Sequence, residues 1–552
     1  MILQSLNRLY PVRYTVFLGA CALAVLGLML WPFSGWGFWV FAGGAMLSAV
    51  GVYDLRQSRH AILRNYPVIG HLRFMLEYIR PEVRQYFIES DIEAEPFSRA
   101  QRSLVYARAK NESDSRPFGT QENVRAIGYE WMQHAMVPTD IADANFRVTV
   151  GGPACTQPYS LSRLNISAMS FGALSANAIL ALNAGAKEGQ FAHDTGEGSI
   201  SRYHTEHGGD LIWQVASGYF GCRTDDGRFD PDKFRANATR DQVKMIEIKL
   251  SQGAKPGHGG VLPGPKVSAE IALARGIPEG VTCVSPAHHS AFSSPKGLME
   301  FIAQLRELSG GKPIGFKFCV GHPWEWFAVV KAMLATGITP DFIVIDGGEG
   351  GTGAAPLEFS DHLGMPLWEG LRLVHNTLTG AGLRGQIRLG ASGKIITAFD
   401  MARALALGAD WCNSARGFMF AIGCVQAQHC QSGLCPTGVT TQDPVRQRAL
   451  VVGDKAPRVA HFHRNTLKAL KELVEAAGLH DPGELSPDHI LRRTGVHRVA
   501  TLSEILPTVQ PGQLLGVTPE SIGELPPHYQ RYWFSASADT FSRVKLATAT
   551  VA

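Results

Sequence analysis

Near residue 424 the chain reads GCVQAQHCQSGLCPTG, which gathers Cys424, Cys430 and Cys435 within twelve residues as C-x5-C-x4-C followed by proline. Three thiols so close on one loop admit a disulfide staple, a zinc site or an iron–sulfur cluster. The chain holds nine cysteines, the other six scattered singly through apolar surroundings. An odd, dispersed count is not a disulfide framework, and buried free thiols are ordinary core residues. Zinc and iron–sulfur chemistry both remain open on this pattern alone.

Other residue types cluster between positions 160 and 420. Lys317 interrupts the apolar run GFKFCV, where burying an ammonium without a partner is costly. Lys249 raises the same question in EIKLSQGAKPGHGG, with Gln252 and Lys255 on the loop after it. Lys317 and Lys249 both suit an anionic ligand. His258 in KPGHGG and His288 and His289 in SPAHHS stand where apolar runs end. Histidines there suit proton transfer or substrate carboxylates, and no H-x-x-E spacing points to zinc. Two glycine loops complete the set. One begins at Asp346 and contains Gly348, Gly350 and Gly351; the other contains Gly390, Ser392 and Gly393. Successive exposed backbone N–H groups of this kind hold phosphate, although each loop read alone could be a tight turn.

Such residues must be carried by a repeated frame. From about 160 to 420, short apolar runs end in glycine-rich or polar loops and alternate with helical stretches, about eight times. The pattern predicts an α/β protein built as a closed (β/α)8 TIM barrel, with the chemistry at the carboxyl ends of its strands. A doubly wound open sheet is the alternative, and it lacks the expected G-x-G-x-x-G after the first strand. VTCVSPAHH counts among the eight strands here, and WQVASGYFG reads as an inserted strand between the second and third units. The expected domains are a transmembrane helical hairpin (1–55), a helical pre-barrel region (56–150), the barrel with its cysteine loop (151–445) and a helical extension (446–552).

The first of these follows from charge and length. No charged residue occurs from Tyr14 to Tyr53, and PFSG, Pro32 to Gly35, divides the stretch into two spans of adequate length. Trp31, Trp36 and Trp39 surround the break. Arg8 and Arg13 precede the pair, and Arg56, Arg59 and Arg64 follow it. Basic flanks on both sides place both ends in the cytoplasm, so the catalytic body is expected at the inner membrane, on its cytoplasmic side. A secretory signal peptide explains the first span and not the second. The 552 residues carry 52 basic and 48 acidic side chains, a net charge of +4. That balance gives no reason for nucleic-acid binding.

Taken in order, ISAMSFGALS, TGEGS, QVASGYFG, IKLSQGAKPGHGGVLPG, SPAHH, FKF, DGGEGGTGAAP, GASGK and GCVQAQHCQSGLCPTGVTTQDP resemble the FMN-binding synthase domain of the glutamate synthase family. The resemblance covers roughly residues 160 to 445 and is nearest to short, membrane-anchored members without the glutaminase domain. It implies a 3Fe-4S cluster on Cys424, Cys430 and Cys435; zinc would ask for a fourth ligand, with only Cys412 near in sequence. It implies FMN held by Ala168, Met169, Ser170, Gln252 and Lys317, with the glycine loops on its phosphate. The implied reaction passes electrons through the cluster to FMN and reduces 2-iminoglutarate, made from 2-oxoglutarate and ammonia, to L-glutamate. The electron donor is expected to be a protein or a membrane redox partner. Departures are the chain's start at Met-Ile-Leu instead of a nucleophilic cysteine, His258 where the full-length family tends to have glutamate, and CVGHPWEW after Lys317. An amino-acid dehydrogenase passing electrons to a quinone or other membrane partner is the second reading. A non-enzymatic FMN-bearing scaffold is the third.

Overall fold

In the computed structural model, which describes residues 11–545, the chain forms two compact units, Met1–Ala94 and Glu95–Ala552. Arg8, one of the expected basic flanks, lies outside the described residues.

The amino-terminal unit contains two helices, α1 (Thr15–Leu30) and α2 (Gly35–Arg56). Pro32 falls in the turn between them, and the Ser34 side chain caps α2 by accepting the Trp36 N–H. Glycines let the two backbones touch: a Cβ on Gly27 would lie 2.2 Å from the Phe41 nitrogen, and one on Gly44 would lie 2.4 Å from that of Ala24. Packing through small residues is how apolar helices associate without a hydrophobic drive between them. Both helices are long and apolar enough to cross a membrane. Their outward residues, such as Met29, Trp36 and Trp39, are exposed.

The second unit is a closed barrel of eight parallel strands. They are β1 (Leu164–Ile166), β2 (His193–Asp194), β3 (Leu211–Val215), β4 (Val243–Lys249), β5 (Ile314–Phe318), β6 (Phe342–Asp346), β7 (Arg388–Ser392) and β8 (Trp411–Ser414). The helices between them begin on cues the sequence carries. Ser175 and Ser294 cap Ala176–Gly189 and Pro295–Leu308, the latter with proline at its first position, and Thr397 forms a capping box with Asp400.

Two strand assignments differ from the sequence expectation. LIWQV, Leu211–Val215, which overlaps the start of the stretch read as an insertion, is the third barrel strand. Cys283–Val284, within the run read as a barrel strand, pairs instead with Val261–Leu262 in a two-stranded sheet outside the barrel. That sheet belongs to an excursion, residues 250–294, between β4 and the helix leading to β5. Both flanking regions carry strands as well as helices: Glu130–Met132 pairs with Ile490–Gly495. The helix Val452–Ala476 packs on the first barrel helix, so residues after 446 belong to the barrel unit.

Alternation along the strands sorts the barrel interior into two layers. The amino-terminal layer is apolar: Ile212, Met245, Phe342, Val344 and Trp411 pack with Val148, Val150 and Leu161 of a hairpin that closes this end. Two residues further along each strand the layer turns polar: Asp194, Gln214, Glu247, Lys317, Asp346, Ser392 and Asn413, all buried.

Candidate functional site

The polar layer floors a cavity at the carboxyl ends of the strands, where barrel chemistry resides. In it, the Lys317 ammonium lies 3.6 Å from the Asp346 carboxylate, both side chains about nine-tenths buried. Burial opposes the charge on Lys317, but the carboxylates of Asp346, Glu247 and Asp194 outweigh it and hold the ammonium above its ordinary range. Asp346 also accepts the Gly253 N–H at 2.7 Å, and Glu247 accepts the Gln214 amide at 2.7 Å. Burial, then the neighbouring Glu247, push Asp194 well above the usual carboxylate range, and burial raises Glu247 too. Three carboxyl groups around one ammonium cannot all ionise in a dry interior, so the Asp194–Glu247 pair retains a proton.

A second group of charges lines the wall above this floor. Lys249 pairs with Glu197 at 2.9 Å, and a Cβ on Gly260 would strike that carboxylate at 2.1 Å, which is why glycine stands there. Lys249 more than offsets the burial of Glu197 and holds it below its usual range. Lys255 and Lys266 are buried in the same cavity, and burial lowers both. Arg275, only 4% exposed, lies over the Phe220 ring at 5.1 Å, and its Nε is buried without a partner. An unsatisfied guanidinium N–H in a cationic pocket is suited to an anionic ligand.

Of the residues singled out from sequence, Ala168, Met169, Ser170, Lys249, Gln252, Lys255, Lys317, Asp346, Gly350, Gly351, Ser392, Gly393 and Cys430 all line this cavity. Five others do not. Gly390 lies within β7, where a Cβ would meet the Trp411 indole at 2.6 Å; it serves barrel packing. Gly348 spends its N–H on the Met365 carbonyl at 2.8 Å. His258 is exposed, bonded to the Gly259 carbonyl and edge-on to Phe359. His288 is exposed. His289 is buried, its Nε2 donating to the Lys249 carbonyl at 2.9 Å and its Nδ1 facing the Tyr219 hydroxyl at 3.1 Å; burial lowers it to about 4. It braces the end of β4 as a neutral imidazole.

The glycine loops follow the sixth and seventh strands. The loop after β8 adds Ser414, Ala415 and Arg416 to the same wall, beside Gly393 and Lys394. Arg416 donates to the Thr352 carbonyl at 3.0 Å, and its other terminal nitrogen lies 3.9 Å from the Cys430 sulfur. Beyond this partition lies a second cavity, lined by Cys424, Cys430 and Cys435 together. Lys266 reaches it from the first cavity by donating to the Cys430 carbonyl at 2.7 Å. Burial opposes ionisation of Cys435, but hydrogen bonds from the Thr440 backbone and the Thr437 hydroxyl outweigh it and bring the thiol down to about 7. Burial raises Cys424. Among the described residues no three His, Cys, Asp or Glu side chains converge closely enough for a single metal ion.

Sequence reasoning missed Asp194, Gln214, Glu247, Lys266, Arg275 and Arg416 as site residues. Arg275 had a readable signal, an arginine on the apolar side of IALAR.

Comparison with known proteins places this site in a family. A model of the conserved region in glutamate synthase matches residues 141–480. The chain is 37% identical over 483 residues to the glutamate synthase large subunit-like protein YerD of Bacillus subtilis, covering 80% of this chain and 91% of that one. It is 39% identical over 315 residues to an archaeal glutamate synthase [NADPH] of Methanocaldococcus jannaschii, covering 57% of this chain and 58% of that one. Against an archaeal-type glutamate synthase [NADPH] of Thermotoga neapolitana the identity is 35% over 333 residues, 60% of this chain and 62% of that one. The chain thus spans less than two thirds of the latter two relatives and nearly all of the first. On the extent of these matches, the chain belongs to the glutamate synthase family.

Proposed function

We propose that this chain is a glutamate synthase-type oxidoreductase. In this reading it uses FMN and a 3Fe-4S cluster to reduce 2-iminoglutarate, formed from 2-oxoglutarate and ammonia, to L-glutamate. The amino-terminal hairpin anchors it at the cytoplasmic side of the inner membrane. The observation that carries the reading is the shared partition: one cavity of buried cations and backbone N–H groups abuts another lined by three thiols, with Arg416 and Cys430 in the wall of both.

The residues present fit both groups. For FMN, Gly351, Gly393, Lys394 and Arg416 offer N–H groups and positive charge to a phosphate, while the Gly350 N–H is spent on the Gly347 carbonyl at 2.8 Å, and Lys317 offers a fixed ammonium to the ring. A Cβ on Gly351 would come within 3.4 Å of Arg416, and one on Gly393, whose φ is +149°, within 3.4 Å of the Gly347 nitrogen. Side chains at these two positions would fill the cradle. For the cluster, three thiols line one cavity, and adjacent cations favour thiolates. FMN, when bound, supplies the electron pair that reduces the C=N bond.

The chain's own residues do the rest. Lys249, Lys255 and Arg275 bind the two carboxylates of the substrate. Glu197 orients Lys249 through their 2.9 Å ion pair. The Asp194–Glu247 pair holds a proton beside Lys317. Anaerobic turnover with reduced ferredoxin, 2-oxoglutarate and ammonia tests the reading, with L-glutamate as the measured product. The hairpin favours one alternative, an amino-acid dehydrogenase delivering electrons to the membrane. Flavin reduction by L-amino acids, with no glutamate formed in the synthetic direction, would select it.

A further inference from the structure

A further helix of the amino-terminal unit, α3 (Gly70–Val83), continues through a wider turn to Ile88. At about 100° per residue, Leu72, Met75, Leu76, Ile79, Val83, Tyr86 and Phe87 fall within one third of its circumference. All seven are exposed, from 38% at Ile79 and Val83 to 85% at Phe87. The opposite face is the packed one: the position of a Gly70 Cβ lies 3.0 Å from Leu63, and Phe74 meets the His60 ring edge-on at 5.3 Å. The helix therefore turns its apolar stripe away from its own unit, which a chain in water does not do without a partner.

The stripe has a charged border. Arg73, Arg80 and Arg84 follow one edge of it at helical spacing. Arg73 and Arg84 pair along the helix with Glu77 at 3.0 Å and Glu89 at 2.9 Å, and both guanidinium groups, more than half exposed, keep further donors for an anion. The helix is also tied to the hairpin. Asp54, fully buried near the end of α2, accepts the Val68 N–H at 2.9 Å and meets the His71 Nε2 at 2.9 Å. One carboxylate thus holds the start of α3 against the end of an exposed apolar helix pair.

We propose that α3 lies flat in the headgroup layer of an anionic bilayer, its apolar stripe on the acyl chains and Arg73, Arg80 and Arg84 on lipid phosphates. Helices that lie on membranes combine these features, and long basic side chains reach from an apolar surface to the polar layer. The inference rests on the membrane anchoring proposed above.

The test uses the full chain in vesicles of phosphatidylcholine with phosphatidylglycerol. A photoreactive residue replaces Leu76 or Ile79 in the stripe, or Tyr78, which is 81% exposed but off it. Severalfold more lipid adduct at 76 and 79 than at 78 is expected, falling in pure phosphatidylcholine for an Arg73→Gln, Arg80→Gln, Arg84→Gln variant. Adducts to a second copy of the chain, or equal lipid labelling at all three positions, overturn the inference while flotation with vesicles leaves the anchor standing. A full chain that does not float with vesicles refutes the anchor, and the inference falls with it.

Discussion

Lys317→Met is the most informative perturbation, because Lys317 is the ammonium of a layer that holds three carboxyl groups. Methionine nearly conserves the volume, so the effect is electrostatic. Removing one partner of a buried pair typically costs about 3–5 kcal/mol. The Asp194–Glu247 pair already holds a proton, and Asp346 keeps its bond from the Gly253 N–H, so the lower end applies. The barrel unit spans Glu95–Ala552. At about 2 cal/mol/K of unfolding entropy per residue, a unit this size loses roughly 1 °C of Tm per kcal/mol. A fall of about 3 °C is expected in differential scanning fluorimetry.

The same charge acts on the flavin in the proposed function. A charge-assisted contact is worth about 1.5–3 kcal/mol, and for a two-electron couple about 30 mV corresponds to 1.4 kcal/mol. Loss of the ammonium should therefore lower the flavin midpoint potential by about 30–65 mV. The salt bridge to Asp346 already neutralises part of the ammonium's field, which again favours the lower end. FMN content should hold, since Gly351, Gly393 and Arg416 are untouched, and Lys317→Arg should restore most of the potential. Spectroelectrochemical titration of the three proteins decides it. A Lys317→Met enzyme with full FMN and an unchanged potential would refute the placement of this charge against the flavin.

Glu247→Gln should flatten the pH dependence of stability. The native pair keeps a proton that the unfolded chain releases above the ordinary carboxylate values of 3.8 and 4.5, so folding stability falls as pH rises from there towards the raised native values. The amide needs no proton. Relative to pH 5, the variant should gain on the wild type by up to ~1.4 kcal/mol per pH unit, and parallel denaturation curves at pH 5 and 8 would contradict this. Cys430→Ser should abolish bound iron, on the order of three atoms per chain for a 3Fe-4S cluster, with unchanged circular dichroism; zinc in the wild-type protein would remove the cluster from the proposal. Arg275→Leu should raise the KM for 2-oxoglutarate by roughly 10–100-fold, a lost charge-assisted contact, with FMN content constant; an unchanged KM would detach Arg275 from the substrate. A chain beginning at Glu95 should express as a folded protein that retains flavin and iron, and loss of both would place the boundary elsewhere.

What could be read from sequence, and what could not, divides along the architecture. The strand-and-loop rhythm made the barrel legible, because a parallel strand buried on both faces is a short apolar run. The same signal misled twice. LIWQV overlaps a stretch that reads as an insertion because the helix joining β2 to it, Arg202–Thr205, is four residues long, so no ordinary βα unit shows. The run around Cys283–Val284 was counted because a two-stranded outlier is equally short and apolar. Lys317 and Lys249 stood out as cations in such runs. Asp194, Gln214 and Glu247 did not, being single polar residues whose shared meaning comes only when closure of the barrel stacks them into one layer. Histidine misled for a different reason: His289 has the right place in the chain, but its imidazole is spent bracing the Lys249 carbonyl.

Three of the cavity's cations follow from neither rhythm nor closure. Lys255, Lys266 and Arg275 all come from the excursion after β4, which is not part of the barrel repeat. They are spaced 11 and 9 residues apart across a loop, a 3-10 turn and a helix. No periodicity relates them; folding of that insertion over the mouth does, through the sheet pairing Val261–Leu262 with Cys283–Val284. In the proposed function the barrel supplies Lys317, Lys249 and a stored proton, while the insertion supplies the further charges that hold the anionic substrate. Changes confined to residues 250–294 should therefore alter which substrate is accepted and leave the flavin's environment at Lys317 intact. Exchanging this excursion for that of a relative, with the flavin potential as control, separates the two: a shifted potential with unchanged substrate preference would reverse the assignment.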